Sequence, residues 1–123
     1  MSKTILVVDD SKAMRLIVRR TLRQAGFGEY EVEEAANGVE ALASIDKAKP
    51  VLVISDWNMP EMNGIQLLQE LNNRKLAVRF GFVTTEGTAD MRALADEAGA
   101  LFLIAKPFTP EQFETTLRPI LAA

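Results

Sequence analysis

Five apolar, β-prone runs alternate with five segments of helical period along this chain, and nothing else in it constrains the fold as strongly. The runs span residues 4–8, 30–35, 51–55, 80–83 and 101–105. Four of them are mostly continuous in apolar residues, as expected where helices cover both faces of a parallel sheet. The run at 30–35 differs, because it carries Glu31, Glu33 and Glu34. It reads as an edge strand with one solvated side.

The segments between the runs carry helix start and stop signals. Ser11 is placed to cap a first helix whose Met14, Ile17, Val18, Leu22 and Ala25 recur every three to four residues, and Gly26 stops it. Asn37-Gly38-Val39-Glu40 and Asn63-Gly64-Ile65-Gln66 are of the capping-box kind and open the second and third helices. Leu67, Leu68 and Leu71 form the buried side of the third. The fourth runs from about residue 88 to residue 98. The last opens at Thr109-Pro110-Glu111-Gln112, with Pro at the first helical position, and Pro119 is expected to fray or end it.

Such a βαβαβ pattern predicts an open, mainly parallel α/β sheet with right-handed crossovers. At roughly 100–200 residues per domain, 123 residues make one domain, and 48% apolar residues suffice for its core. No apolar run approaches the roughly 20 residues that span a membrane, and no secretory leader precedes the first strand. We therefore expect a cytoplasmic chain without membrane insertion. A net charge of −3 argues against nucleic acid as the main partner.

Two zeros narrow the chemistry. Without Cys there is no thiolate zinc site or thiol nucleophile, and without His there is no imidazole base. What remains is carboxylates, hydroxyls, Lys and Arg, with an oxygen-loving cation as the natural cofactor. In sheets of this class ligands bind outside the carboxyl ends of the strands. The residues there are Asp9 and Asp10 after the first strand, Asp56 after the third, Thr84 and Thr85 after the fourth, and Lys106 and Pro107 after the fifth. Three crowded carboxylates require either that one holds a proton or that a cation sits among them. An oxygen-only cluster suits Mg²⁺. With Lys106 and the Thr84 hydroxyl it could stabilise a transferring phosphoryl group, and a carboxylate can itself be the nucleophile.

The motifs Val7-Val8-Asp9-Asp10, Asp56-Trp57-Asn58-Met59-Pro60-Glu61-Met62-Asn63-Gly64, Val83-Thr84-Thr85-Glu86 and Lys106-Pro107-Phe108-Thr109 resemble those of response-regulator receiver domains. The likeness extends over the whole chain and is greatest to stand-alone chemotaxis regulators of the CheY kind. It implies a single receiver domain over residues 1–123 with one five-stranded parallel sheet, helices on both faces and strand order 2-1-3-4-5 (the flavodoxin-like or CheY-like (βα)5 fold). It also implies that Asp56 accepts a phosphoryl group from a histidine kinase or histidine phosphotransfer protein. Asp10 and Asp56 would hold Mg²⁺ with the Asn58 backbone carbonyl, and Asp9 would act through water. Thr84 and Lys106 would bond the phosphoryl group, and the Lys106–Pro107 peptide would be cis. Asn58 and Glu86 occupy the positions that tune self-dephosphorylation, which implies a short-lived phosphoryl state in a protein that is not otherwise an enzyme.

Two positions depart from the resemblance. Leu103 stands where an aromatic residue swings inward on activation, and Thr85 replaces a small residue beside the switch hydroxyl. Phe102, on the opposite face from Leu103, is expected to fill the space left by Gly81. On the first helix Arg15, Arg19 and Arg23 form an i, i+4 stripe, read as a solvated face or a docking surface for the phosphodonor. Trp57 reads as a partly exposed lid.

The resemblance favours a monomeric, phosphorylation-controlled switch that acts on a partner such as a flagellar motor switch protein or a phosphatase. A phosphorelay intermediate or phosphate sink is the alternative within signalling. A small-molecule Mg²⁺-dependent phosphohydrolase fits less well, since Asp9-Asp10-Ser11 lacks the Asp-x-Asp spacing of haloacid-dehalogenase-type enzymes. No Gly-rich phosphate loop follows the first strand, which disfavours a nucleotide-binding module.

Overall fold

The computed structural model describes residues 3–85 and 87–122. Its elements are β1 (Thr4–Val8), α1 (Lys12–Leu22), β2 (Glu31–Ala35), α2 (Gly38–Ala48), β3 (Leu52–Ser55), α3 (Gly64–Asn73), β4 (Phe80–Thr84), α4 (Ala89–Glu97), β5 (Leu103–Ala105) and α5 (Pro110–Ala122). All strand pairs are parallel, and the sheet order is β2-β1-β3-β4-β5, as the family likeness implies.

Period-two alternation divides the core between the two faces. Leu6, Val8, Val53, Phe80 and Phe82 face α2, α3 and α4, where they meet Leu42, Ile45, Leu67, Leu71 and Ala95. Ile5, Val7, Leu52, Ile54, Val83 and Ile104 face α1 and α5, where they meet Val18, Leu22, Phe113 and Leu117. Both faces are covered, so the central strands can be apolar throughout. The edge strand β2 leaves Glu31, Glu33 and Glu34 exposed.

Capping fixes the helix starts. Asn63 accepts from the Gln66 amide while the Gln66 side chain accepts from the Asn63 amide, a complete capping box. Thr109 and Gln112 repeat it at α5. At α2 the reciprocal bond slips by one residue: Asn37 accepts from the Glu40 amide, but the Glu40 carboxylate accepts from the Ala36 amide.

Two expectations for the helices change, at Ile17 and at Pro119, while Gly26 turns the chain as expected. Ile17 is 43% exposed, because it falls on the flank of α1, and Thr21 is buried in its place. Thr21 satisfies its hydroxyl by donating to the Ile17 carbonyl at 2.8 Å. Beyond Leu22 the chain continues into a π-helical turn, Arg23–Phe27, where Gly26 takes φ of 100° and turns the chain, a conformation that glycine adopts without penalty. Pro119 does not end α5, which continues to Ala122. The carbonyl that its ring denies a partner belongs to Thr115, an exposed residue within reach of water.

Two strand starts move inward, to Glu31 and Leu52, and β5 is shorter still. Leu101, expected in β5, is 52% exposed.

Candidate functional site

The polar residues expected at the carboxyl ends of the strands converge on one edge of the sheet. Asp56 follows β3, and its amide donates to the Val8 carbonyl at 2.8 Å, which ties the end of β3 to the end of β1. Asp9 follows β1 and is only 4% exposed. Its amide donates to the Ala35 carbonyl at 3.0 Å, and its Oδ1 accepts from the Ser11 amide at 2.9 Å. Asp10, next in the chain, is exposed.

Lys106 enters from the other side. The Lys106 amide donates to the Thr84 carbonyl at 2.8 Å, and the Lys106–Pro107 peptide is cis. The Lys106 ammonium donates to Asp9 Oδ2 at 3.1 Å and lies 3.7 Å from Asp56 Oδ1. Thr84 ends β4 fully buried, whereas Thr85 beyond it is exposed.

Asp9, Asp10 and Asp56 can each offer one carboxylate oxygen within 4.8 Å of the others. Burial pushes the Asp56 carboxyl above its ordinary value, with Lys106 opposing the rise and Asp9 adding to it. The amide of Trp57, donating to Asp56 Oδ1 at 2.8 Å, also opposes it, and the charge on Asp10 adds a further push upward. Three carboxylates gathered this closely repel one another, and a cation among them relieves that repulsion. The donors are all oxygens, so the cluster fits a hard divalent ion such as Mg²⁺.

The loop that carries Asp56 is fixed from beneath. The Gly64 amide donates to the Trp57 carbonyl at 2.8 Å. A Cβ at Gly64 would overlap the Asp56 carbonyl and the Phe82 ring, so only glycine allows α3 to start this close. Sequence reading treated Gly64 as part of a helix cap and missed this role. The signal available was a glycine in the first turn after Asn63.

The family model that matches this chain over residues 5–118 is that of the response regulator receiver domain. The chain belongs to that family. The receiver domain is 41% identical to the chemotaxis protein CheY1 of Helicobacter pylori strain J99 over 120 residues, 95% of each chain. It is 42% identical to a chemotaxis protein CheY homolog of Campylobacter jejuni, over 95% of this chain and 91% of that one. Among solved structures it superposes on Vibrio cholerae chemotaxis protein CheY4 with a TM-score of 0.84, at 36% identity over 98% of this chain and 99% of that one.

Several expected features take a different form in the receiver domain. Trp57 is no exposed lid. It is 8% exposed and packs on Phe82 with ring centroids 4.8 Å apart, because its side chain turns into the core beneath the Asp56 loop. The basic stripe of α1 is not a free solvated face either, since Arg15 and Arg19 both fold back onto Glu34 of β2, at 2.8 and 3.1 Å. Arg19 also donates to the Val32 carbonyl at 2.9 Å. Arg23 remains exposed.

Leu103 and Phe102 lie on opposite faces as expected, Leu103 with the α2–α4 side of the core and Phe102 with the α1–α5 side. The Phe102 ring occupies the space that a Cβ at Gly81 would need. Asn58 is exposed in the loop after Asp56, and Glu86 lies outside the described residues. Among the described residues, no helix is long and apolar enough to cross a membrane.

Proposed function

We propose that this receiver domain is a phosphorylation switch in which Asp56 is the phosphoacceptor and the phosphoryl group comes from a histidine kinase or histidine phosphotransfer protein. The observation that carries the reading is the convergence of Asp9, Asp10 and Asp56 within 4.8 Å, with the Lys106 ammonium on the same edge. These 123 residues contain no histidine, so a phosphohistidine donor lies outside them.

In the forward step a carboxylate oxygen of Asp56 attacks phosphorus, and a P–O bond forms as the P–N bond to the donor imidazole breaks. The departing imidazole takes up a proton. Mg²⁺ held by Asp10, Asp56 and the Asn58 carbonyl, with Asp9 acting through water, would supply positive charge to the phosphoryl oxygens. Lys106 leaves Asp9 to pair with a phosphoryl oxygen, and the Thr84 hydroxyl donates to another. In the later hydrolytic step water attacks phosphorus, the P–O bond to Asp56 breaks, and inorganic phosphate and a proton leave as the Asp56 carboxylate is restored. Asn58 and Glu86 are polar and do not exclude that water, so the phosphoryl state is short-lived.

Phosphorylation brings a charge of roughly −1.5 to −2 to the strand ends. That charge shifts the population between two conformations of α4, β5 and α5, the face offered to a partner. The names of the relatives support a role in chemotaxis, and within that role we read the chain as a cytoplasmic regulator whose partner is a flagellar motor switch protein. Leu103, which cannot make the aromatic swing, favours a second reading as a phosphorelay intermediate or phosphate sink.

Incubation with acetyl phosphate and Mg²⁺, followed by intact mass, tests the switch. One phosphoryl adduct per chain that chelation abolishes is expected, and its absence would sink the reading. An adduct that persists for many hours would refute the self-dephosphorylation. Retention of the phosphorylated form by flagellar switch components separates motor control from relay.

A further inference from the structure

Arg15 reaches from α1 to two groups at once. Its Nε donates to Glu34 Oε1 of β2 at 2.8 Å, and its Nη1 donates to the backbone carbonyl of Asp9 at 2.6 Å. The side chain is 15% exposed, so it offers little surface to a docking partner. The carbonyl it holds belongs to the peptide that links Asp9 to Asp10.

Every other polar group of Asp9 has a partner on a different element: the amide on Ala35, Oδ1 on Ser11 and Oδ2 on Lys106. Asp10 differs. Its carboxylate accepts no hydrogen bond among the described residues, so no side-chain partner holds it in place. The Asp9–Asp10 peptide, whose carbonyl Arg15 holds, fixes the backbone from which Asp10 reaches the cluster.

We propose that Arg15 is a positioning residue for the cation site: by bridging Glu34 and the Asp9 carbonyl it fixes the direction in which Asp10 presents its carboxylate. This rests on the reading that Asp9, Asp10 and Asp56 hold a divalent cation. The planar guanidinium can satisfy both acceptors together, whereas a lysine in the same place offers a single charged point. Glu34 is itself steadied by Arg19 at 3.1 Å, so the strut runs from the exposed edge of β2 to the metal ligands. Groups of this outer kind commonly matter to affinity because small displacements of a ligand are costly.

The test is Mg²⁺ titration of the wild type, Arg15→Ala, Arg15→Lys and Glu34→Gln, followed by Trp57 emission and by competition with Mn²⁺ in electron paramagnetic resonance. Arg15→Ala is expected to raise the Mg²⁺ dissociation constant by about tenfold. Its rate of phosphorylation by acetyl phosphate at saturating Mg²⁺ stays at the wild-type level. Arg15→Lys recovers part of the affinity, and Glu34→Gln weakens binding in the same direction by less. Wild-type affinity in a folded Arg15→Ala protein would overturn the proposal, as would a loss of saturating rate and melting temperature without a change in affinity. Should Arg15→Ala fail to fold, Glu34→Gln decides, and wild-type affinity there overturns the proposal. Failure of the wild type itself to bind Mg²⁺ would instead remove the cation reading on which the proposal rests.

Discussion

The Lys106 ammonium lies closer to Asp9 than to Asp56, 3.1 Å against 3.7 Å, and the side chains of all three residues are at most 13% exposed. The lysine thus balances a buried carboxylate that is not the expected phosphoacceptor. It is held within a short reach of the one that is.

Removing Lys106 leaves Asp9 as a buried charge without its cation. Lys106→Met is expected to cost about 3 kcal/mol of stability in urea denaturation. Millimolar Mg²⁺ should restore part of that loss, since it neutralises the same carboxylates. A variant as stable as the wild type without Mg²⁺ would contradict the pairing.

The raised carboxyl of Asp56 gives a pH signature. The folded chain holds this proton more tightly than the unfolded chain, whose value lies near the ordinary 3.8. Stability therefore falls as pH rises from that value through the raised folded one, and the loss is complete above it. Asp56→Asn keeps an acceptor for the Trp57 amide but carries no charge. It should melt higher than the wild type at neutral pH without divalent ions, with the gap closing on acidification and on adding Mg²⁺. A lower melting point at neutral pH would contradict the burial argument.

At Gly81 a methyl group would collide with the Phe102 ring. Gly81→Ala should cost about 1–3 kcal/mol through overpacking. Combined with Phe102→Leu it should cost less than the two single changes added together, because they share one space. Strict additivity in the double-mutant cycle would show that the two residues do not compete for it.

Much of this was legible in the sequence because it rests on period and position. The apolar runs mark the strands, and strand ends in such a sheet share one edge, so Asp9, Asp10, Asp56, Thr84 and Lys106 could be brought together before any coordinates. The misreadings at the basic stripe and at Trp57 share a physical cause: side chains that turn back on the fold. Arg15 and Arg19 have the spacing of a solvated stripe, but Glu34, distant in sequence, draws both inward across the edge of β2. Trp57 adjoins an exposed loop residue, yet its ring finds Phe82. Ile17 keeps the helical period but lies on the flank of α1, and no local pattern marks where the buried stripe ends.

The central claim is that the phosphoryl group resides on Asp56. Borohydride reduction of the acetyl phosphate-treated protein converts an aspartyl phosphate to homoserine, which peptide mass spectrometry locates. The account predicts homoserine at position 56 alone, Mg²⁺-dependent and absent from Asp56→Asn. Reduction at Asp9 or Asp10, or an unchanged yield in Asp56→Asn, would contradict it.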